Sequence, residues 1–383
     1  MHSMGMNKSI NLPVLENALA KAGMNHSALA QRLSVSREAV SKWFNLESLP
    51  KPDKLLRIGM LVGLSYEQLV ILPAPTAVPI VTFRRKARRK TKDVHLDGAR
   101  ETGELLKRLV PYLPDQELTQ PPTLKAPIAD YEYTQRVAGD VRREMALEGK
   151  AVIEFEDLID KFTQIHAVIV PVLWGAKERH ENALYIHLPD SKTTWVFLNL
   201  DSNAVDFKFW MAHELGHSLA PTLADEAGEK FAESFAQALL FPESHAVRLR
   251  AALQGITSVG ARIECVRKEA EKHIISPYTI RRALEEYEQS KNLPKTNLGE
   301  LSPFMGFVNN FGKNYETITQ LLFGKMPPEP KQYIALAQSK FGSPIFSALK
   351  EFCKHEQGAE HFIHRVFGVS LADAKALLME LRN

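Results

Sequence analysis

The chain has 383 residues, 45% of them hydrophobic and 24% charged, and its formal net charge is +3. These values are typical of a globular protein with two or three domains, and any affinity for nucleic acid must come from local patches. No apolar run approaches the ~18 residues of a membrane span and no signal-peptide core opens the chain, so we expect a soluble, cytoplasmic protein. Cys265 and Cys353 form no C-x-x-C pair and indicate buried thiols in a reducing compartment.

Residues 12–72 are predicted to form five short helices, with apolar residues at helical spacing. In the third helix Ser36 is placed as the N-cap, and Ala39, Val40 and Trp43 face inward. Gly63 marks the end of the fourth helix. Short helices in this order are typical of a compact helix-turn-helix domain.

The pattern L-A-x-x-L-x-V-S-x-x-x-V-S-K-W, then L-P and L-x-x-I-x-x-L-V-G-L-S, resembles the XRE (lambda-repressor-like) family over about residues 8–72. The resemblance implies that the helix over residues 36–44 enters the major groove of a double-stranded DNA operator. Its outward residues are then placed to meet bases or phosphates: Ser36, Arg37, Glu38, Ser41 and Lys42. The alternative is a helix-turn-helix that makes only protein contacts.

Residues 73–125 are predicted to be a Pro-rich and basic linker that contains one helix. Its first part, residues 73–80, is apolar and extended. Arg84–Lys92 follows, and residues 83–92 hold seven basic residues and no acidic one. Such a run is either a solvated face or, directly after a DNA-binding domain, a segment that follows phosphates. Helical spacing then covers residues 96–113 before prolines break the chain.

Three apolar runs in the next part of the chain are predicted to be strands: Ala167–Val172, Ala183–Leu188 and Thr194–Leu200. The last two are expected to pair antiparallel. A helix is predicted before them, over residues 129–150. Strands between helices indicate an α+β domain here.

The stretch Phe207–Ala220 contains the motif H-E-x-x-H at His213, Glu214 and His217. On a helix, residues four apart share a face, so the two histidines can bind one metal ion. Glu214 then projects beside the metal, where a water molecule would bind. Zinc lowers the pKa of such a water towards ~7, and a carboxylate can accept its proton. The motif therefore predicts a zinc site with Glu214 as the general base.

A second amphipathic helix is predicted over residues 229–242, because apolar residues recur there at helical spacing before Pro242. Glu229 and Glu233 share one face of this helix, and small alanines beside them permit close approach to another helix. Glu229 can supply the third zinc ligand, and Glu233 can accept the free ring N–H of a ligating histidine. The alternative is that both glutamates are solvated and the histidines merely cap a core helix.

The block F-x-x-A-H-E-L-G-H, then E-x-x-A-x-x-F-A-x-x-L-L-x-P, resembles the ImmA/IrrE family of bacterial zinc metallopeptidases over roughly residues 126–245. The apolar strand that ends in Asn199 is part of the match. Members of that family cleave repressor proteins and thereby switch on genes. Many relatives have Asn or Asp where this chain has Glu233. The resemblance implies Glu214 as the base and three zinc ligands, namely His213, His217 and Glu229.

A peptidase of this kind binds its substrate along a sheet edge beside the motif helix. Tyr185 and His187 lie on the strand predicted over Ala183–Leu188 and are expected to lie on opposite faces, so that only one of them faces the site. Either is a candidate to donate a hydrogen bond to an oxyanion. An ordinary structural role in the strand is the alternative for each residue.

Residues 243–290 are predicted to be helical and charged. A polar stretch over residues 291–300 then precedes a small all-helical module that reaches residue 383. No motif identifies this module, which would bind a partner, gate the cleft or mediate oligomerisation. A homodimer is left open.

The predicted fold class is α+β and multidomain. An all-α helix-turn-helix domain, a zincin-like α+β peptidase domain with a small sheet, and an all-α C-terminal module are expected. The boundaries are placed at residues 1–72, 73–125 for the linker, 126–290 and 291–383.

The predicted function is a bacterial DNA-binding transcriptional regulator that carries a zinc-dependent endopeptidase. Its substrate is expected to be a repressor or antitoxin-like protein, or the chain itself. One alternative is a non-proteolytic transcription factor whose peptidase-like cleft senses a ligand. Another is an antitoxin-like protein that holds a toxin through its C-terminal module.

Overall fold

The computed structural model describes residues 9–45, 48–71, 78–82, 93–114, 122–147, 152–174, 182–223, 225–324 and 328–383. The chain divides into two compact units. The first comprises Met1–Val78 with Pro189–Ser191, and the second comprises Pro79–Leu188 with Lys192–Asn383. The basic run Arg84–Lys92 lies outside the described residues.

Five helices and a short antiparallel strand pair build the first unit. They are α1 (Leu12–Lys21), α2 (His26–Leu33), α3 (Arg37–Phe44), α4 (Pro52–Val62) and α5 (Tyr66–Leu69), with strands β1 (Ser9–Ile10) and β2 (Val70–Ile71). The Ser36 hydroxyl oxygen accepts a hydrogen bond from the Ala39 N–H at 3.1 Å, so α3 begins where its N-cap predicted. Gly63, with a φ of +68°, ends α4. The five predicted helices and both end signals are confirmed.

The core of the first unit fixes α3 through its inner face. Leu29 and Leu33 of α2, Val40 of α3 and Ile58 of α4 have no exposed surface. Trp43, one turn after Val40, is buried with them. The outer face of α3 is therefore left to solvent.

A four-stranded mixed sheet lies in the second unit. Its strands are β3 (Ile80–Thr82), β4 (Ala167–Val172), β5 (Ala183–Leu188) and β6 (Thr193–Asn199), and their order is β3-β5-β6-β4. The β4–β6 pair is parallel, and the β3–β5 and β5–β6 pairs are antiparallel. Every residue of β4 and β6 is buried, which is why both strands read as apolar runs in the sequence.

The three predicted strands are confirmed, but β3 corrects the prediction for the linker. The sequence placed residues 73–80 in an extended linker, and Ile80 instead starts a strand that is hydrogen-bonded to β5. Three residues are too few to carry a periodic signal of their own.

Fourteen α-helices of the described residues surround this sheet. They are α6 (Asp93–Lys107), α7 (Tyr131–Glu144), α8 (Phe155–Gln164), α9 (Ala204–Leu219), α10 (Asp225–Leu240), α11 (Glu243–Gln254), α12 (Val259–His273), α13 (Pro277–Ser290), α14 (Leu301–Gly312), α15 (Ile318–Phe323), α16 (Pro330–Phe341), α17 (Ile345–His355), α18 (Ala359–Phe367) and α19 (Leu371–Arg382). The motif helix α9 packs against β5 and β6, and α10 packs along α9 and α7. None of the described helices is both long enough and apolar enough to span a membrane.

The C-terminal helices belong to the same compact unit as the sheet, whereas the sequence predicted a separate module over residues 291–383. α16 and α17 pack against the outer strand β4. The hydroxyls of Tyr333 and Ser343 donate to the carbonyls of Pro171 and Ile169, respectively. These bonds satisfy acceptors that an edge strand leaves open, so the helices close this side of the sheet.

Candidate functional site

The motif helix α9 is a core helix, and its two histidines lie in its last two turns. It runs from Ala204 to Leu219, and the side-chain oxygen of its N-cap, Asn203, accepts a hydrogen bond from the Asp206 N–H at 2.9 Å. Nearly every residue of the helix is buried, including His213, Glu214 and His217. The polar motif therefore lies in the interior of the unit. Polar groups buried there require hydrogen-bonding or charged partners.

A glycine allows α9 and α10 to approach closely beside the motif. A Cβ atom added at Gly216 would lie 3.0 Å from the Cα of Ala232 and 3.1 Å from Cδ1 of Phe235. Ala232 is itself fully buried. The small side chains on both helices thus permit the contact that brings Glu229, one turn before Ala232, beside the histidines.

Three side chains converge at this crossing. Ligand atoms of His213, His217 and Glu229 all lie within 4.8 Å of one another. The two Nε2 atoms are 3.1 Å apart, Glu229 Oε2 is 3.6 Å from His213 Nε2, and Glu229 Oε1 is 3.2 Å from His217 Nε2. The histidines come from α9 and the glutamate from α10, so tertiary packing assembles the cluster.

The donor set fits zinc in both chemistry and spacing. Two imidazoles and one carboxylate are common ligands of catalytic zinc, and the coordination is completed by water or substrate. Tetrahedral coordination with bonds of about 2.0–2.2 Å sets the donor atoms about 3.3–3.5 Å apart. The observed separations of 3.1, 3.2 and 3.6 Å bracket that value. Oε1 of Glu229 is buried and accepts no hydrogen bond from the described residues.

Glu214 directly follows His213 in the sequence and is buried, as both histidines are. Its exposed fraction is only 3%. Burial raises the pKa of the Glu214 carboxyl well above its usual value, and the negative charge of Glu229 raises it further. Oε2 of Glu214 has no hydrogen-bond partner among the described residues. A cation at the cluster would offset both carboxylate charges.

Tyr185 of β5 lies against the same site. Its ring centroid is 5.7 Å from that of His217, with an angle of 33° between the planes. Burial raises the pKa of its hydroxyl, so the group stays protonated at neutral pH. The expectation that His187 lies on the opposite face is wrong, because residues two apart in a strand share one face. Its Nδ1 lies 3.2 Å from Thr194 Oγ1. Of the two predicted candidates, Tyr185 is the one that contacts a motif histidine.

Glu233 lies one turn after Glu229 on α10 and is half-buried. Its negative charge contributes to raising the pKa of Glu286 on α13, after the effect of burial itself. The contact predicted between Glu233 and a ligating histidine stays a prediction.

The five residues predicted to meet DNA form an exposed surface at α3 of the first unit. Ser36, Arg37, Glu38, Ser41 and Lys42 are all exposed. Lys42 Nζ lies 3.1 Å from a carboxylate oxygen of Glu38, one turn earlier. This pair is solvent-exposed and contributes little to stability, so Lys42 can exchange Glu38 for a phosphate.

A second buried polar cluster lies behind α9 and carries no sequence motif. The rings of His245 and His273 are 5.0 Å apart, and each is 5.4 Å from the ring of Phe241. Lys208 of α9 donates to the carbonyl of His273 at 2.7 Å. Burial, together with the smaller effect of neighbouring basic groups, lowers the pKa of His273 to about 3 and that of His245 to about 4. We call these two residues the buried histidine pair.

A family model described as helix-turn-helix matches residues 15–69, which run from α1 to α5. This match supports a DNA-binding transcription regulator. No curated protein matches the chain, and no solved structure matches it. The architecture is that of a multidomain α+β protein, mostly helical, with a small mixed sheet and an N-terminal helix-turn-helix.

Proposed function

We propose that the second unit of this DNA-binding regulator is a zincin-like, zinc-dependent endopeptidase of the ImmA/IrrE kind. Its substrate is a repressor or antitoxin-like protein, or the chain itself. The observation that carries the proposal is the convergence of His213, His217 and Glu229 within 4.8 Å, with Glu214 buried beside them. The resemblance of the motif block to ImmA/IrrE sequences supports the same assignment.

Each side chain of the cluster has one role in this proposal. His213 and His217 of α9 and Glu229 of α10 hold the metal, and their ring and carboxylate atoms already lie at suitable separations. Zinc, when bound there, supplies a Lewis acid that acidifies water and polarises a carbonyl group.

Glu214 is the residue that transfers the proton. Its carboxylate accepts a proton from the attacking water and returns that proton to the amine that leaves when the peptide bond breaks. Its carboxyl is buried beside the cluster, and Oε2 has no hydrogen-bond partner among the described residues, so this oxygen is available for the exchange. The Tyr185 hydroxyl is the hydrogen-bond donor available to the negatively charged oxygen that develops on the substrate.

Metal content and cleavage of a co-encoded repressor, measured together on single variants, test the proposal. His213→Ala, His217→Ala and Glu229→Gln each remove a ligand, so all three lose zinc. Glu214→Gln keeps zinc, and cleavage falls by about 10²–10⁴ because an amide cannot accept the proton. Glu233→Ala costs about 10–100-fold in zinc affinity or cleavage.

Two exposed residues provide matched controls. Glu226 lies one turn before Glu229 on the same helix, so Glu226→Gln makes the same chemical change outside the cluster. His355 ends α17 at the surface, and His355→Ala controls for loss of a histidine. Both controls retain zinc and cleavage at wild-type levels. Loss of zinc in Glu214→Gln, together with retention in Glu229→Gln, would show that the two glutamates are wrongly assigned. If every variant regulated genes as the wild type does, the cleft would not be catalytic, and the alternative of a ligand-sensing cleft would be favoured.

A further inference from the structure

The strand β3 occupies the outer edge of β5, beside the candidate metal centre. It pairs antiparallel with β5 in the register Ile80 with His187, Val81 with Ile186, and Thr82 with Tyr185. The backbone of Thr82 thus runs directly opposite Tyr185, the residue whose ring contacts the ring of His217.

β3 also lies against α10, the helix that carries Glu229. The strand therefore contacts β5, α6 and α10, and two of these neighbours, β5 and α10, contribute residues to the centre. The far edge of the sheet is different. There, hydroxyls of Tyr333 and Ser343 bond to the carbonyls of β4, and C-terminal helices cover the strand.

Extended peptides commonly bind by adding a strand to a sheet edge, with main-chain hydrogen bonds supplying the affinity. In this sheet, the edge of β5 beside the centre is where a peptide would meet the metal ligands and Glu214. The chain's own residues already make those main-chain bonds. A peptide substrate and β3 therefore compete for one position.

We propose that β3 is an internal occupant of the peptide-binding edge, and that a protein substrate enters as an extended segment that displaces it. The proposal rests on the proposed peptidase function. It also defines the substrate class: a segment able to form at least three consecutive strand residues, with apolar β-branched side chains acceptable, as Ile80 and Val81 show.

Few buried contacts fix β3 in the sheet, so a peptide can displace it. The strand has three residues, and the side chains of Ile80 and Val81 are only half-buried, whereas β6 is buried throughout. Pro79, directly before the strand, packs so closely on α6 that a Cβ atom at Gly103 would lie 2.6 Å from the Pro79 Cβ. Short segments with few buried contacts open at a lower free energy than the core.

Peptide binding to the zinc-loaded Glu214→Gln protein tests the proposal without any hydrolysis. The probe is a fluorescein-labelled peptide with the sequence of residues 78–88, and the readout is fluorescence anisotropy. If β3 fills the edge about nine-tenths of the time, the apparent affinity is lowered about tenfold. Adding Val81→Asp, which places a charge in the strand, should restore that affinity and so raise peptide binding about tenfold.

A matched control and a second variant exclude simple unfolding. Val78 is 63% exposed and precedes the strand, so Val78→Asp should bind the peptide as the parent protein does. A disulfide between Val81→Cys and Ile186→Cys joins two register partners and locks β3 in place. The locked protein should lose peptide binding, and a reducing agent should restore it.

Unchanged peptide binding in both Val81→Asp and the locked protein would overturn the proposal and make β3 a permanent part of the fold. Zinc content, measured on the same samples, reports on the peptidase assignment separately. If the protein binds no zinc but Val81→Asp still raises peptide binding, the displaceable strand is supported and the peptidase assignment is contradicted.

Discussion

The substitution Gly216→Ala should weaken zinc binding at the proposed metal centre without altering any of the proposed ligands. The added Cβ would lie 3.0 Å from Ala232 Cα and 3.1 Å from Phe235 Cδ1, where ordinary contact starts at 3.4 Å. α9 and α10 must therefore separate by a few tenths of an ångström. Because Glu229 moves with α10, its distances of 3.2 and 3.6 Å to the two histidines change by the same order.

The magnitude follows from two opposing effects on stability and one on zinc binding. Overpacking a tight core costs about 1–3 kcal/mol, and replacing glycine by alanine in a helix regains about 1 kcal/mol. The zinc-free protein should then lose about 0–2 kcal/mol in free energy of unfolding. Metal–ligand distances tolerate only about 0.2 Å, so zinc affinity should fall by about tenfold or more.

The assay is a competitive zinc titration against a chelating dye, with urea unfolding of the zinc-free protein alongside. Gly139→Ala is the matched control, because Gly139 also lies inside a helix and an added Cβ there meets no atom within 4 Å. It should gain up to about 1 kcal/mol of stability and leave zinc affinity unchanged. Equal zinc affinity of Gly216→Ala and wild type would refute the role given to the close helix crossing.

Three further predictions concern the first unit, the linker and the buried histidine pair. Arg37→Ala and Lys42→Ala should each weaken operator binding by about 1–3 kcal/mol if the side chain reads a base; wild-type affinity of both, at fixed salt, contradicts this. Neutralising four charges within Arg84–Lys92 should flatten the slope of log K against log salt by about 3–4, whereas an unchanged slope assigns the run to solvent. Burial keeps His245 and His273 neutral in the folded state, so below pH ~6.5 the unfolded state binds more protons than the folded state. The free energy of unfolding should therefore fall by about 2–4 kcal/mol from pH 7 to pH 5. Urea titrations of wild type and His273→Gln check this, and an identical pH dependence of the two proteins rejects it.

Local patterns in the sequence were sufficient for the secondary structure around the site. The apolar runs of β4, β5 and β6 and the cap at Ser36 depend only on residues close together in the chain. The placement of His213 and His217 on one helix face has the same origin, because an α-helix fixes the direction of side chains four residues apart.

Tertiary structure decided which of these elements meet. Whether Glu229 reaches the histidines depends on the close crossing at Gly216 and Ala232, and no period in the sequence reports that distance. The buried histidine pair joins two helices that are separate in sequence, so it left no motif.

The same distinction holds for the edges of the sheet. Helical spacing suggested an all-helical C-terminal module, but not that hydroxyl groups of its helices donate hydrogen bonds to carbonyls of β4. β3 is too short to show a strand pattern and exists because β5 offers it unpaired backbone groups. The sequence by itself thus determined the helices of the first unit, the longer strands and the placement of His213 and His217 on one helix face. Long-range packing decided which strands pair in the sheet and which helices contact each other. Backbone hydrogen bonds and close contacts depend on the shapes of the packed elements and not on their positions in the chain.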